Sequence, residues 1–214
     1  MPLEKQPESF HISIIGNVGT GKSTLARLIQ QRLPCQLYLE DPEDYLFVRL
    51  FFDAPHDWGF ANLLHFMLVK IAQQAQIRHQ NQLAVQEMNA YAIRCIWAPA
   101  LHEISYISQK EMTTIEQVYD LLATTPISLP DLSVVLQTSF ETQLDRIRKR
   151  GRDFEDLAPD FIRLLAILDR KFAQFTEATT GNFMLIDAET VNFTQPSKTR
   201  DGLLDAILRQ IPCP

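Results

Sequence analysis

Five short apolar segments along the chain have the length and composition of buried β-strands. They lie at residues 11–16, 35–40, 82–87, 132–138 and 183–188. Several of them are continuous hydrophobic runs, which are typical of strands covered on both faces. The pattern therefore predicts five strands that form one buried sheet.

The segments between these strands carry apolar residues at helical spacing. One amphipathic stripe runs over 60–75, and a second runs from Phe161 to Phe175, just after Pro159. Proline suits the first turn of a helix because its ring presets the backbone angle there. Further helices are predicted over 22–33, 89–106, 113–124, 139–150 and 201–211.

The alternation of strands and helices predicts an α/β fold, a three-layer sandwich in which a five-stranded parallel sheet carries helices on both faces. We expect residues 1–214 to form a single domain, with a flexible stretch at 1–9. In such sheets, ligands bind at the carboxyl ends of the strands. Four chemically capable residues end the predicted strands, namely Gly16, Glu40, Glu87 and Asp187.

The composition excludes several classes of protein. Of the 214 residues, 46% are hydrophobic and 21% are charged, which argues against a mainly disordered chain. No apolar run reaches the length of a membrane span, and the net charge of −6 argues against a general nucleic-acid binder. The three cysteines, Cys35, Cys95 and Cys213, lie far apart without metal-ligand spacing, so we expect a reduced, cytoplasmic compartment.

The most specific motif is the stretch GNVGTGKS, which matches the phosphate-binding pattern G-x-x-x-x-G-K-S/T over its full length. Its glycines let backbone N–H groups surround phosphate oxygens, and the helix that follows directs its positive end at them. A strand before it and a helical stretch after it disfavour an incidental glycine-rich turn. We expect ATP and Mg²⁺ as cofactors, bound by Gly16, Asn17, Val18, Gly19, Thr20, Gly21, Lys22, Ser23 and Thr24.

Two glutamates end predicted strands beside this loop. Glu40 is placed to serve as the general base for an acceptor hydroxyl, although a strand-end glutamate is also often solvated or caps a helix. Glu87 is placed to assist Mg²⁺ together with Ser23, and the alternative is a plain surface carboxylate.

A cluster of basic residues follows the fourth predicted strand. Five of the seven residues from Arg146 to Arg152 are Lys or Arg, which suggests one local anionic ligand. We predict a lid over 146–157, in which Arg146, Arg150 and Arg152 close over ATP and stabilise charge on the transferring phosphoryl group. The alternative is a solvated, basic helix terminus.

These motifs, in this order, resemble the deoxyribonucleoside kinases. The resemblance covers Ile12 to about Phe193, and its more specific parts are LDRIRKRGRDFE (144–155) and MLIDAETVNF (184–193). It implies ATP-dependent phosphorylation of the 5′-hydroxyl of a nucleoside or similar small alcohol. Glu40 would be the base, Glu87 would help to hold Mg²⁺, the three lid arginines would contact ATP, and Glu155 would bind the sugar 3′-hydroxyl.

Three positions depart from the family pattern. Met88 stands where the family has an arginine near the transferred phosphoryl group, Phe52 matches a sugar-binding tyrosine, and Leu63 matches a base-reading glutamine, with Asn62 adjoining. A site that loses polar partners loses discrimination, so we expect weak, poorly selective activity on the usual deoxynucleosides. The predicted acceptor-binding residues are Phe52, Trp58, Leu63, Glu87, Met88 and Glu155.

Two other functions stay open. The leading interpretation is a kinase, which Glu40 and Glu155 favour. The alternative is a nucleotide-binding kinase homologue with weak, altered or lost activity, which the three departures favour. A nucleoside monophosphate kinase needs no general base, so Glu40 counts against it. We expect a nucleoside-like acceptor, no nucleic-acid or membrane partner, and a homodimer, which the apolar segment 89–107 would suit.

Overall fold

The computed structural model describes residues 10–41, 45–80, 82–123, 129–153, 155, 157–178 and 180–212. The expected flexibility of 1–9 lies outside the described residues. So do Thr124 at the end of one predicted helix, lid positions 154 and 156, and Cys213.

Five parallel strands form a single sheet in the order β2-β3-β1-β4-β5. The predicted α/β fold with a five-stranded parallel sheet is thereby confirmed. The connection after β1 leads to one side of the sheet and the connection after β3 leads to the other, so a crevice opens between their carboxyl ends. The strands are β1 Phe10–Gly16, β2 Gln36–Tyr38, β3 Leu83–Glu87, β4 Leu132–Gln137 and β5 Phe183–Asp187.

Helices connect the strands and cover both faces of the sheet. The long helix α3 extends the predicted 60–75 stripe in both directions, and the short helix α2 was not predicted. The helices are α1 Lys22–Arg32, α2 Val48–Asp53, α3 Pro55–His79, α4 Ala90–Ala92, α5 Ala98–Glu103, α6 Gln109–Ala123, α7 Phe140–Arg150, α8 Pro159–Ala178 and α9 Lys198–Leu208, with a π-helical turn at Ile93–Trp97 between α4 and α5.

The sheet separates two apolar cores. Side chains of Ile12 and Ile14 in β1 pack with residues of α1 and α9, whereas Ile15 packs with residues of α3, α5 and α8. Successive side chains of a strand point to opposite faces, which explains this division. Both faces of β1 are buried, and the strand therefore holds the phosphate loop that follows it on a rigid support.

The predicted helix over 89–106 is interrupted. It consists of α4, the π-helical turn and α5, with Pro99 in the first turn of α5. Proline has no N–H to donate and its ring clashes with the carbonyl of the preceding turn, so a widened turn just before it accommodates the ring. Ile93 and Trp97 of this segment face the cavity described below.

The strand predicted over 35–40 is shorter than expected. Within the part of the chain that the structure describes, β2 is an edge strand that pairs only with β3, and its last pair is Tyr38 with Gln86. Beyond it the N–H of Glu40 donates to Oε2 of Glu87 at 3.0 Å instead of joining the ladder. Glu40 therefore lies in the loop after β2 and not at the end of the strand.

Among the described helices, none is both long and apolar enough to cross a bilayer.

Candidate active site

The phosphate loop has the backbone geometry that its glycines allow. Gly19 and Gly21 have φ of 82° and 102°, a region that favours glycine. A Cβ atom on Gly16 would lie 2.6 Å from Oγ1 of Thr20 and 2.9 Å from the carbonyl of Leu136. Among the described residues, no side chain caps the start of α1, so the N–H groups of its first turn are open to an anion.

Side chains of the loop hold its shape from within. The Nδ2 of Asn17 donates to the carbonyl of Leu165 in α8 at 3.1 Å, and its Oδ1 accepts the N–H of Val18 at 2.8 Å. Oγ1 of Thr20 donates to the carbonyl of Asn17 at 2.9 Å. Both side chains are buried, so they shape the loop and leave ligand contacts to its backbone. Thr24 lies half-buried in the first turn of α1.

Arg146 lies against the phosphate loop. Its guanidinium donates to the carbonyls of Gly19 at 3.3 Å, Thr20 at 3.2 Å and Ala188 at 3.0 Å. These bonds join α7 to the phosphate loop and to the segment after β5. Arg146 is a predicted lid residue, but in the structure its guanidinium binds carbonyls of the phosphate loop and of the segment after β5.

Lys22, Glu40 and Glu87 meet in the crevice between β1 and β3. Nζ of Lys22 donates to the carbonyls of Gly16 at 3.1 Å and Asn17 at 3.2 Å, and it lies 4.0 Å from Oε2 of Glu40. The hydroxyl of Ser23 lies beside the Glu87 carboxyl and lowers its pKa. The structure thus brings the predicted base, the predicted metal ligands and the loop lysine together.

Burial of the Glu87 carboxyl raises its pKa, and the neighbouring Glu40 carboxylate raises it further. Lys22, the hydroxyl of Ser23 and the N–H of Glu40 act in the opposite direction. Oε1 of Glu87 is buried and has no hydrogen-bond partner in the described part of the chain. A carboxylate with a free buried oxygen beside a hydroxyl is a setting in which a cation stabilises the charged form.

Lys70 of α3 is a fourth member of this cluster, and the sequence analysis missed it. Its side chain is fully buried, and Nζ donates to the carbonyl of Glu87 at 2.6 Å. Nζ also lies 3.4 Å from Oε1 of Glu40. Burial lowers the pKa of Lys70, and the Glu40 and Glu87 carboxylates offset only part of this effect. The only signal in the sequence is a lysine within the apolar stripe of a helix. A lysine in that setting resembles one at the solvent-exposed border of an amphipathic helix.

An apolar cavity opens beside the two glutamates. The structure brings five of the six predicted acceptor-binding residues into its wall, namely Phe52, Leu63, Glu87, Met88 and Glu155. Trp58 is not in that wall, and its ring stacks on Phe47 with centroids 5.7 Å apart. Further lining residues are Tyr45, Val48, Phe51, Asn62, Phe66, Ile93, Trp97, Leu101 and Phe161.

Asn62 is a polar residue of the cavity wall that the sequence indicated only as the neighbour of Leu63. Its side chain lines the cavity, and its Oδ1 is buried without a hydrogen-bond partner among the residues described. Leu63, at 2% exposure, supplies only apolar surface there. A buried carbonyl oxygen without a partner is costly unless a ligand or water donates to it.

The described lid residues form an ion-pair cluster at the cavity rim. Nε of Arg150 donates to Oε2 of Glu155 at 3.0 Å, and NH1 of Arg152 donates to Oε1 at 3.1 Å. The Glu155 side chain is only 6% exposed, and all three residues line the cavity. Gly151 ends α7 with φ of 61°, and this turn lets the two arginines flank the same carboxylate.

The residues fit a nucleoside triphosphate with Mg²⁺. Mg²⁺ in such sites is held by one or two protein oxygens together with substrate phosphates, which matches the Ser23 and Glu87 pair. The described residues contain no cluster of three or more His, Cys, Asp or Glu that would bind a metal without phosphates. The open N–H groups of α1 and the ammonium of Lys22 are the groups that would contact the phosphates.

Comparison with known proteins adds relatives to this geometry. The family model described as deoxynucleoside kinase matches residues 12–212. A deoxyadenosine kinase from Dictyostelium discoideum is 30% identical over 172 residues, which cover 80% of this chain and 69% of that protein. A deoxyguanosine kinase from Lactobacillus acidophilus is 25% identical over 215 residues, which cover 94% of this chain and 90% of that protein.

Solved structures share the fold. The structure of a deoxyadenosine kinase from M. mycoides with the products dCMP and a flexible dCDP superposes with a TM-score of 0.80 at 21% identity. The same kinase with bound dATP gives a TM-score of 0.78 at 20% identity. Each comparison covers 94% of this chain and 100% of the other.

Proposed function

The chain belongs to the deoxynucleoside kinase family, and we propose that it transfers the terminal phosphoryl group of ATP to the 5′-hydroxyl of a deoxynucleoside or similar small alcohol. One observation carries this proposal. The Glu40 carboxylate lies between the phosphate loop and the apolar cavity. It is 4.0 Å from Nζ of Lys22 in the loop, and it forms part of the cavity wall. A base at that junction can reach a hydroxyl that faces the phosphates.

The phosphate loop and α1 bind the donor. Their backbone N–H groups hold phosphate oxygens, and Lys22 turns from the loop carbonyls towards the β- and γ-phosphates. Mg²⁺, held by Ser23 and Glu87, would neutralise phosphate charge when bound. The buried, unpartnered Oε1 of Glu87 supports that assignment.

Glu40 takes the proton in the transfer. The 5′-oxygen of the acceptor forms a bond to the γ-phosphorus, its proton passes to the Glu40 carboxylate, and the bond to the β-phosphate oxygen breaks to release ADP. The loop after β2 holds Glu40 in place because its N–H is bonded to Glu87. The acceptor ring enters the aromatic cavity, so that its hydroxyl end points back to Glu40.

The lid supplies charge and a sugar contact. Arg150 and Arg152 now pair with Glu155, and both arginines line the cavity. We expect the two arginines to exchange Glu155 for phosphate oxygens when ATP binds, which frees that carboxylate for a sugar hydroxyl. Guanidinium groups at the developing phosphoryl charge stabilise the transition state.

The acceptor is a nucleoside held mainly by stacking and apolar contact. Phe52, Leu63 and Met88 contribute no hydrogen bond to a ring or a sugar, so discrimination between bases is weak. The relatives are named for deoxyadenosine and deoxyguanosine, and these two nucleosides are the first to test.

We also propose a homodimer. The segment that suggested it is largely used inside the chain, since Ile93, Ile96 and Leu101 are buried. Tyr91, at 41% exposure, and Leu121, at 70%, remain on the surface nearby. Light scattering at micromolar concentration tests this against the 24.6 kDa of one chain.

Coupled ADP release over a panel of deoxynucleosides, ribonucleosides and nucleoside monophosphates tests the function. Glu40→Gln keeps the shape but accepts no proton, so turnover should fall by roughly 10²–10⁴ while ATP binding persists. Glu177→Gln, the same change at an exposed glutamate, is the control. Full turnover in Glu40→Gln would remove the assigned base. ATP binding without turnover on any acceptor would favour a homologue that has lost catalysis.

A further inference from the structure

Lys70 is a buried cation that the reaction described above does not use. Its side chain has no exposed surface, and its ammonium lies between the Glu87 carbonyl at 2.6 Å and Oε1 of Glu40 at 3.4 Å. It also lies 5.9 Å from the ring centre of Tyr45 and 5.6 Å from that of Phe66. An ammonium leaves water at a high cost unless its partners hold it, so its contacts here are specific.

Helix α3 is fixed against the end of β3 around this lysine. Nε2 of Gln86 donates to the carbonyl of Lys70 at 3.3 Å and to Oε1 of Gln73 at 2.9 Å. The N–H of Ala90, just beyond β3, donates to Oε1 of Gln74 at 3.0 Å. The ammonium therefore has a defined position relative to the strand end that carries Glu87.

An ammonium group lies near each oxygen of the Glu40 carboxylate. Lys70 faces Oε1 at 3.4 Å, and Lys22 faces Oε2 at 4.0 Å. Lys22 also belongs to the phosphate loop, and the donor phosphates compete for its charge once they bind. Lys70 has no such competitor, because it lies outside the cavity wall and out of solvent.

Met88 brings no charge to the cavity wall beside Glu87. It follows Glu87 directly, lines the cavity, and is 2% exposed with φ of 52°. Its N–H donates to the carbonyl of Ile14 at 2.9 Å, so its backbone is fixed in the sheet. The end of β3 therefore adds an apolar side chain to the cavity wall that Glu40 and Glu87 also line, and the cations near Glu40 come from the phosphate loop and from α3.

We propose that Lys70 is a positioning residue that holds the Glu40 carboxylate towards the acceptor hydroxyl. This role rests on the proposed function and acts through Glu40, because Lys70 itself does not line the cavity. A misplacement of a reacting group by about 1 Å costs on the order of 10²-fold in rate, which makes the positioning measurable.

The test is a double-mutant cycle in kcat. Lys70→Met keeps the length of the side chain without its charge, and kcat should fall by about 10- to 100-fold, with the KM for ATP changed by less than about threefold. In the Glu40→Gln background, Lys70→Met should cause no further fall, because the group that it positions has lost its function. Ile71→Ala, the next buried residue of α3, is the packing control and should lower stability without this loss of kcat.

Rescue separates charge from volume. Lys70→Ala should regain activity with added ethylammonium, and ethanol, which has similar volume without charge, should restore none. Rescue by both compounds, full kcat in Lys70→Met, or losses that multiply in the double variant would each overturn the proposal. If Lys70→Met does not fold, Lys70→Gln takes its place in the cycle.

A wild-type protein that phosphorylates no acceptor would refute the proposed function, and the positioning contact would then be read from unfolding. The same four proteins are titrated with urea. Non-additivity of at least about fivefold in the unfolding equilibrium constant supports the Lys70–Glu40 contact. Additive effects overturn it, whatever the fate of the kinase activity.

Discussion

His11 should make the stability of this protein depend on pH between neutrality and about pH 4. The residue is 1% exposed in β1, and burial lowers the pKa of its imidazole from 6.5 to about 4, with the side chain of Gln86 opposing. The charged form is therefore tolerated in the unfolded chain and disfavoured in the folded one. As pH falls below 6.5, the unfolded state binds a proton that the folded state does not, and stability is lost.

The size of the effect follows from the two pKa values. The difference between the pKa of His11 in the unfolded state and in the folded state corresponds to a maximum loss of about 3 kcal/mol of unfolding free energy, at about 1.4 kcal/mol per pKa unit. About 2 kcal/mol of that should already be lost between pH 7 and pH 5. Below about pH 4 the folded state also binds the proton, and the loss stops growing.

Urea unfolding at several pH values between 7.5 and 4.5 measures this, with wild type compared to His11→Leu. Other ionisable groups also contribute to the pH dependence, and the raised pKa of Glu87 acts with the opposite sign. The difference between the two proteins cancels their contributions. His79→Gln, at an exposed histidine at the end of α3, is the control. A difference between wild type and His11→Leu that stays constant within about 0.5 kcal/mol over this range would refute the reasoning.

Three further predictions concern the site. Lys22→Ala should abolish the rise in melting temperature that millimolar Mg·ATP produces in wild type, and an unchanged rise would exclude Lys22 from phosphate binding. Asn17→Leu removes a buried bond to α8 and should cost about 1–3 kcal/mol in urea unfolding, with a raised KM for ATP. Wild-type kcat/KM should lie below about 10⁵ M⁻¹s⁻¹ for all four deoxynucleosides, and it should rise when Leu63→Gln, Phe52→Tyr and Met88→Arg are combined. A strong preference of the wild type for one deoxynucleoside would contradict the pocket assignment.

Local patterns sufficed for much of the fold. Continuous apolar runs indicate strands buried on both faces, and the five of them form the parallel sheet that the alternation with helices predicts. The phosphate loop is also indicated by a local pattern, because its glycines have the backbone angles that the turn requires and a helix follows it directly. Glu40 and Glu87 could be expected near this loop, since parallel strands end at one edge of a sheet.

The sequence by itself thus determined the sheet, the phosphate loop and the edge at which the chemistry lies. Only the tertiary structure decided that Lys70 approaches Glu40 from α3, thirty residues along the chain, and that Arg146 anchors the phosphate loop. It also decided that β2 ends before Glu40 and that Trp58 stacks outside the cavity. The reason is physical: periodicity reports which face of an element is buried, whereas the partner of a buried charge depends on how distant elements pack.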